Sequence, residues 1–158
     1  MGVWLLVVLV GAAVPAAEPA NDLVNAELKK LEGQWLVVSS ERSGKKYPTG
    51  NEHWVFVGDR ARVHLRPGNA DKNAPFVVNE GNLLLTYHFK LDPSKSPKEI
   101  DMTFLDGPNK ERVGKGIYEI SGDKLKICRS LDPQDERPKD FKTEGKNNYF
   151  VMVWERQP

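Results

Sequence analysis

The stretch KICRSLDPQDERPKDF, from Lys126 to Phe141, gathers the residue types in this chain most able to do chemistry. It holds the only cysteine, Cys128, two arginines, Arg129 and Arg137, and the acids Asp132, Asp135, Glu136 and Asp140. A cysteine nucleophile reacts as the thiolate, which a neighbouring Lys or Arg favours. In strand alternation Cys128 falls with Lys124 and Lys126, opposite Leu125 and Ile127, so the thiol is expected on the lysine side. Against catalysis, no His or Asn lies close in sequence to form a nucleophilic pair. Free cysteine also commonly packs as a small hydrophobe. The expected role of Cys128 is therefore structural, and an enzyme built on it is the less favoured reading. The loop acids are expected to be solvated, with Arg137 as an ion-pair partner worth little at a surface.

The three histidines do not have metal-ligand spacing: there is no HxH and no HExxH. His64 alternates onto the side of Arg62 and Arg66, and His88 onto that of Thr86 and Lys90, so both are expected to face solvent, while the side of His53 stays open. Asp101 and Glu119 are expected at outward strand positions. There is no GxSxG, P-loop or Rossmann fingerprint, and GKGIYE is a strand with glycines. No catalytic residue, metal or cofactor is expected.

These residues must be carried by strands. After one short helix in NDLVNAELKKLEG, with Asn21 or Asp22 as its cap, Leu23, Leu28 and Leu31 on one side and Gly33 as its stop, apolar residues recur at every second position. The segments QWLVVSSE, HWVFV, ARVHLR, PFVVN, LLLTYHFKL, EIDMTFL, GKGIYEI, DKLKICR and NYFVMVWER read as strands separated by turn residues. Such a run predicts an all-β fold, an antiparallel meander closed as a barrel of about 8–10 strands with one short N-terminal helix. Closure also removes exposed edges. In the last strand Phe150, Met152 and Trp154 share one face and Tyr149, Val151 and Val153 the other. One face is expected to fill the barrel, and the other to meet the helix or a partner.

Composition narrows the partners. The 158 residues carry 23 basic and 22 acidic side chains, a formal charge of +1, and 39% are hydrophobic, which suits one globular domain and makes nucleic acid an unexpected partner. The apolar run in MGVWLLVVLVGAAVPAAEPA, followed by small residues, reads as a secretory signal peptide over 1–17, although no Lys or Arg precedes it. It is shorter than the roughly 18–20 residues needed to cross a bilayer, so no stable membrane span is expected after cleavage. Residues 18–30 then form a linker and helix, and residues 31–158 the barrel. The expected location is the periplasm or the extracellular space.

LEGQWLVVSSERSGK, LDPSKSPKEIDMTFLDGP, GIYEISGDKLKICRS and ERPKDF, in this order, resemble a family of uncharacterised exported domains abundant in planctomycete bacteria. The resemblance spans Leu31 to Arg156 and brings no established activity with it. The chain also looks lipocalin-like, because Gly33-Gln34-Trp35 matches the Gly-x-Trp that opens the first strand of that superfamily. That likeness implies a Trp35 closing one barrel end beneath Arg156, with Arg129 as the rival arginine, and belongs to the fold alone. The shared positions Cys128, Arg137 and Pro138 are assigned to structure, with Arg137-Pro138 clamping the long loop. The functional expectation is an exported non-enzymatic binding module holding a small apolar or amphipathic ligand in its barrel. The alternative is a cell-envelope domain with a filled core that binds protein or polysaccharide by its surface. The intact mass of the exported protein should lack the first sixteen or seventeen residues; retention of Met1 on exported material would refute the leader.

Overall fold

The computed structural model describes residues 19–68, 70, 74–130, 132–145 and 148–158; the expected leader lies outside them. Helix α1 (Pro19–Leu31) precedes nine strands: β1 (Gly33–Arg42), β2 (Lys45–Tyr47), β3 (Glu52–Val57), β4 (Arg60–Leu65), β5 (Leu83–Asp92), β6 (Lys98–Phe104), β7 (Val113–Ser121), β8 (Lys124–Ser130) and β9 (Tyr149–Arg156). Sequential antiparallel pairing runs from β3 to β9, and β9 returns to pair with β1, which also pairs with β3. Strands β1 and β3–β9 thus close an eight-stranded antiparallel barrel of lipocalin-like architecture. Strand β2 is a short addition that pairs with the last residues of β1, beyond the stretch of β1 that β3 uses.

The strands form where apolar residues alternate, because each second side chain points inward. Strand β6 shows this directly: Ile100, Met102 and Phe104 are buried inside, while Glu99, Asp101 and Thr103 alternate outward. Strand β5 contributes Tyr87, Phe89 and Leu91 by the same rule, and β9 contributes Met152 and Trp154. These side chains form one core with Trp35, Trp54, Phe56, Leu125 and Ile127. Most of the barrel is consequently filled by rings, with Trp54 stacked on Tyr87 at 5.2 Å and edge-on to Trp154 at 5.3 Å.

The strand ends divide the barrel into two unlike rims. At one rim β3 meets β4 and β7 meets β8 through two-residue links, and α1 packs there. Leu28 and Leu31 join the core, and Leu31 is fully buried. Leu23, expected on the same side, is 53% exposed; the helix instead turns Glu27 inward, where the carboxylate meets Lys98 at 2.9 Å and accepts the Tyr118 hydroxyl at 3.1 Å. Burial alone would raise the Glu27 pKa, but hydrogen bonds from Lys30 and Lys98 outweigh it and hold the group lowered. The same contacts leave Tyr118 harder to ionise, first by burial and then by the adjacent negative charge.

The helix ends at the barrel seam. Gly33 has φ +112°, a conformation that side chains rarely adopt, and a Cβ there would lie 3.2 Å from Arg156 Nη1. Glycine therefore both turns the chain from α1 into β1 and leaves room for the guanidinium. Trp35 pairs with Arg156 across β1 and β9, and the Arg156 guanidinium lies 4.2 Å from the centre of the Trp35 ring. Arg156 also donates to the carbonyls of Lys30 and Glu32 at the helix C-terminus, while Trp35 Nε1 donates to Leu31 O at 2.7 Å. A cation at that end satisfies carbonyls the helix leaves unpaired and complements its dipole.

Three expectations are corrected. PFVVN, residues 75–79, forms no ladder; it runs along the outside of the barrel into a single 3-10 turn at Glu80–Asn82. KKY, not read as a strand, forms β2. The outer face of β9 meets the loop after β8 rather than the helix: Val151 packs with Ile117 and Cys128, against Phe141 of that loop and Tyr149.

Trp35→Ala removes a fully buried indole and should cost on the order of 3–5 kcal/mol. Arg156→Ala should cost less, about 1–2 kcal/mol, through the lost ring stacking and helix-end hydrogen bonds. Denaturant unfolding of both single variants and the double variant checks this, with a coupling of at least about 0.5 kcal/mol expected. Equal losses, or simple additivity, would count against the seam.

Candidate functional site

At the rim opposite α1 the links between β1 and β3, β4 and β5, β6 and β7, and β8 and β9 are longer. Here the ring-filled core stops short of the barrel end and leaves a cup of about 210 Å³. Its floor is Trp54 and Tyr87; its walls include Val37, Val63, Leu85, Phe150 and Met152; Ser40, Thr49 and Glu52 add polar groups. The alternation that fills the lower barrel also lines this cup, because all these strand residues point inward.

One charged residue lies inside. Arg129 shares the inward face of β8 with Leu125 and Ile127 and is 8% exposed. Its guanidinium stands 5.2 Å from the centre of the Tyr87 ring and 5.5 Å from that of Phe104, and Nη2 donates to the Tyr87 hydroxyl at 3.3 Å. The facing positions on β7 are Gly114 and Gly116. A Cβ on Gly116 would lie 2.7 Å from Cys128 O and 3.0 Å from Arg129 Cβ, and one on Gly114 2.8 Å from Ser130 O. Close approach of the β8 backbone thus requires glycine at both places, and at Gly116 it also leaves room for the base of the arginine side chain. Nη1 is buried and has no hydrogen-bond partner among the described residues. Glu52 lines the same cup but forms no ion pair with Arg129, and its carboxylate accepts Trp54 Nε1–H at 2.6 Å. On the sequence alone Arg129 enters only as a neighbour of Cys128 and as a rival to Arg156. The signal for its position was available: an arginine on the parity of Leu125 and Ile127 lies on the core side of its strand.

The other singled-out residues lie outside the barrel wall, under two loop covers. Cys128 does fall on the lysine side, but that side is covered there: the thiol is fully buried between Ile117 and Val151. Burial, helped by the charge of Asp140, pushes its pKa up to about 12, so it is held as the thiol. Lys126 lies over the Phe141 ring at 4.6 Å rather than activating the sulfur. Arg137 fastens this cover to the wall. It pairs with Glu99 at 3.1 Å and Asp101 at 2.7 Å and donates to Ile100 O and Gly116 O, while Pro138 is buried beside it. The expected pairing of Arg137 with the loop's own acids is replaced by these strand partners, because β6 offers two carboxylates on adjacent outward positions. Asp135 instead accepts the Ser130 hydroxyl at 2.6 Å.

The second cover corrects His64. It points outward with Arg62 and Arg66, as alternation requires, yet is 2% exposed because residues 74–82 fold over it. His64 Nδ1 lies 2.9 Å from Asn82 Oδ1, Arg66 donates to Ala74 O, and His53, directly across the β3–β4 ladder from His64, stacks on Phe76 at 4.1 Å. PFVVN therefore uses its apolar residue as a lid on imidazoles rather than as a strand. His88 remains at the surface, 3.0 Å from Asp59. Among the described residues no group of His, Cys, Asp and Glu is placed to hold a metal ion, and no helix is long and apolar enough to cross a membrane.

No known protein-family model matches this chain, and no curated protein matches it. The closed barrel and its cup are therefore the features on which function is argued.

Burial, then the charges of Arg66 and His64, lower the His53 pKa from 6.5 to about 4. In the unfolded chain the ring takes up its proton near pH 6.5, whereas the folded protein resists until about pH 4. The stability this neutral ring contributes is full above pH 6.5 and is lost as pH falls through that window. Urea unfolding from pH 7 to pH 4 should show a loss on the order of 2–3 kcal/mol that His53→Phe lacks. An identical pH slope in the two proteins would contradict it.

Proposed function

We propose that this chain is an exported, non-enzymatic binding module that receives a small apolar or amphipathic ligand in the cup at its open rim. The observation that carries the reading is the cup itself: a concave site walled by Trp54, Tyr87, Leu85 and Met152 with a few polar groups among them. Mostly apolar walls with sparse polar contacts are the usual make-up of small-molecule sites, and barrel mouths are a usual place for them. At about 210 Å³ the cup lies below the roughly 300–1,000 Å³ common for such sites, so the ligand is small or inserts only one end. Neither the buried, high-pKa Cys128 nor any of the three histidines lines the cup, which supports binding over a cysteine- or histidine-based reaction there. Export and kinship with the planctomycete domain family belong to this same reading and rest on the leader-like start and the four ordered motifs.

A second reading is favoured by the lower barrel. Trp35, Trp54, Trp154, Phe56, Phe89 and Tyr118 are all but fully buried and fill the lower barrel, as in an envelope domain that works by its surface. Native mass spectrometry of protein purified from its own host separates the two. A ligand-binding cup should yield a bound small molecule that disappears in Ser40→Phe, which places a ring in the cup from a small wall position. A folded wild type that carries no adduct would favour the filled-core domain.

A further inference from the structure

Arg129 is the feature of the cup that fold stability does not account for. A buried cation without a counter-ion is costly unless something supplies the missing charge and hydrogen bonds. Two aromatic rings offset part of that cost, and the Tyr87 oxygen takes one hydrogen bond from Nη2. Nη1 is left with no hydrogen-bond partner, and no carboxylate forms an ion pair with the guanidinium among the described residues. On the facing wall a Cβ at Gly114 or Gly116 would first meet the backbone, at 2.8 Å from Ser130 O and 2.7 Å from Cys128 O, and at Gly116 it would also crowd Arg129 Cβ at 3.0 Å.

Resting on the reading of the cup as a ligand site, we propose that Arg129 and Tyr87 hold the carboxylate of a small monoanionic amphiphile, whose apolar part lies against Leu84, Leu85 and Met152 at the mouth. The geometry specifies the roles of the atoms. One carboxylate oxygen accepts from the Arg129 guanidinium, which turns its buried, unpartnered Nη1 toward the cup when the ligand enters. The Tyr87 hydroxyl already accepts from Nη2 and keeps its own proton to donate, so it supplies a second hydrogen bond to the same group. No bond is made or broken and no proton changes owner. Arg129 brings one cation to the cup and Glu52 one carboxylate, so a ligand carrying a single negative charge meets less repulsion there than a phosphate dianion. Charge-assisted hydrogen bonds in a water-poor site are strong enough to dominate selectivity among ligands of equal apolar area.

Isothermal titration calorimetry of the leaderless chain with octanoate and with 1-octanol tests this, because the two probes share a chain and differ at the head. Octanoate should bind at least about tenfold more tightly than octanol. Arg129→Gln should bring octanoate down to the level of octanol while octanol binding stays within about twofold. Tyr87→Phe should weaken octanoate selectively by a smaller factor, and it carries the test if Arg129→Gln does not fold. Equal binding of the two probes by the wild type would overturn the anion assignment while leaving an apolar cup. Undiminished octanoate affinity in both variants would overturn it as well. Binding of neither probe would remove the cup as a site and the carboxylate with it. Tight binding of octyl phosphate in preference to octanoate would replace the monoanion by a dianion and overturn the selectivity argument.

Discussion

The β1–β9 ladder converts a meander into a closed vessel. Every other barrel pairing joins strands that are neighbours along the chain, or nearly so, and would form equally in an open sheet. Closure alone brings Trp35 beneath Arg156 and places the guanidinium over the carbonyls that end α1. The seam therefore ties three elements with one side chain. It also explains why Gly33 must be glycine, since both its backbone angle and the space above it are taken. With one rim sealed in this way, apolar side chains fill the barrel upward from the helix and run out before the opposite rim, and the cup is what remains.

Two loops outside the wall do for the outer faces what the aromatic core does inside. Residues 74–82 cover His53 and His64, and residues 132–145 cover Cys128 and Val151. Each is held by an arginine that reaches backbone carbonyls: Arg66 to Ala74, Arg137 to Ile100 and Gly116. In β9 the outward Val151 is buried because the loop carrying Phe141 lies over it. Thr143 adds a further tie, bonding Glu41 and the Gly44 amide at the β1–β2 turn. The residue types that first suggested catalysis are thus mostly fastenings. Cys128 fills the space under a cover, and Arg137 fixes the cover in place.

The strands were legible wherever alternation was clean, as in EIDMTFL, where Ile100, Met102 and Phe104 face in and their neighbours face out. Closure was legible through a resemblance, since Gly33-Gln34-Trp35 matches the lipocalin Gly-x-Trp, which implies an arginine of the last strand beside the tryptophan. PFVVN failed for a physical reason: a loop that covers a barrel needs apolar residues as much as a strand does, and spacing over five residues does not separate the two. The burial of His64 was hidden similarly, since alternation gives the direction of a side chain but not what lies over it. Arg129 was half legible. Its parity marked it as inward, yet its meaning depends on Tyr87, Phe104 and two glycines that come together only across β5, β6, β7 and β8.

The seam also sets the order in which the molecule can be completed. Hairpins with two-residue links, β3–β4 and β7–β8, form quickly, but the contact between Arg156 and Glu32 spans 124 positions and must wait for β9. Until then β1 and β8 are two open edges flanking a sheet whose inner face is lined with tryptophan and phenylalanine. An unfinished or C-terminally clipped chain is therefore a sticky ribbon, prone to pairing with its own kind. The eight-residue strand β9 thus acts as a latch, covering both edges at once when it pairs with β1 and β8.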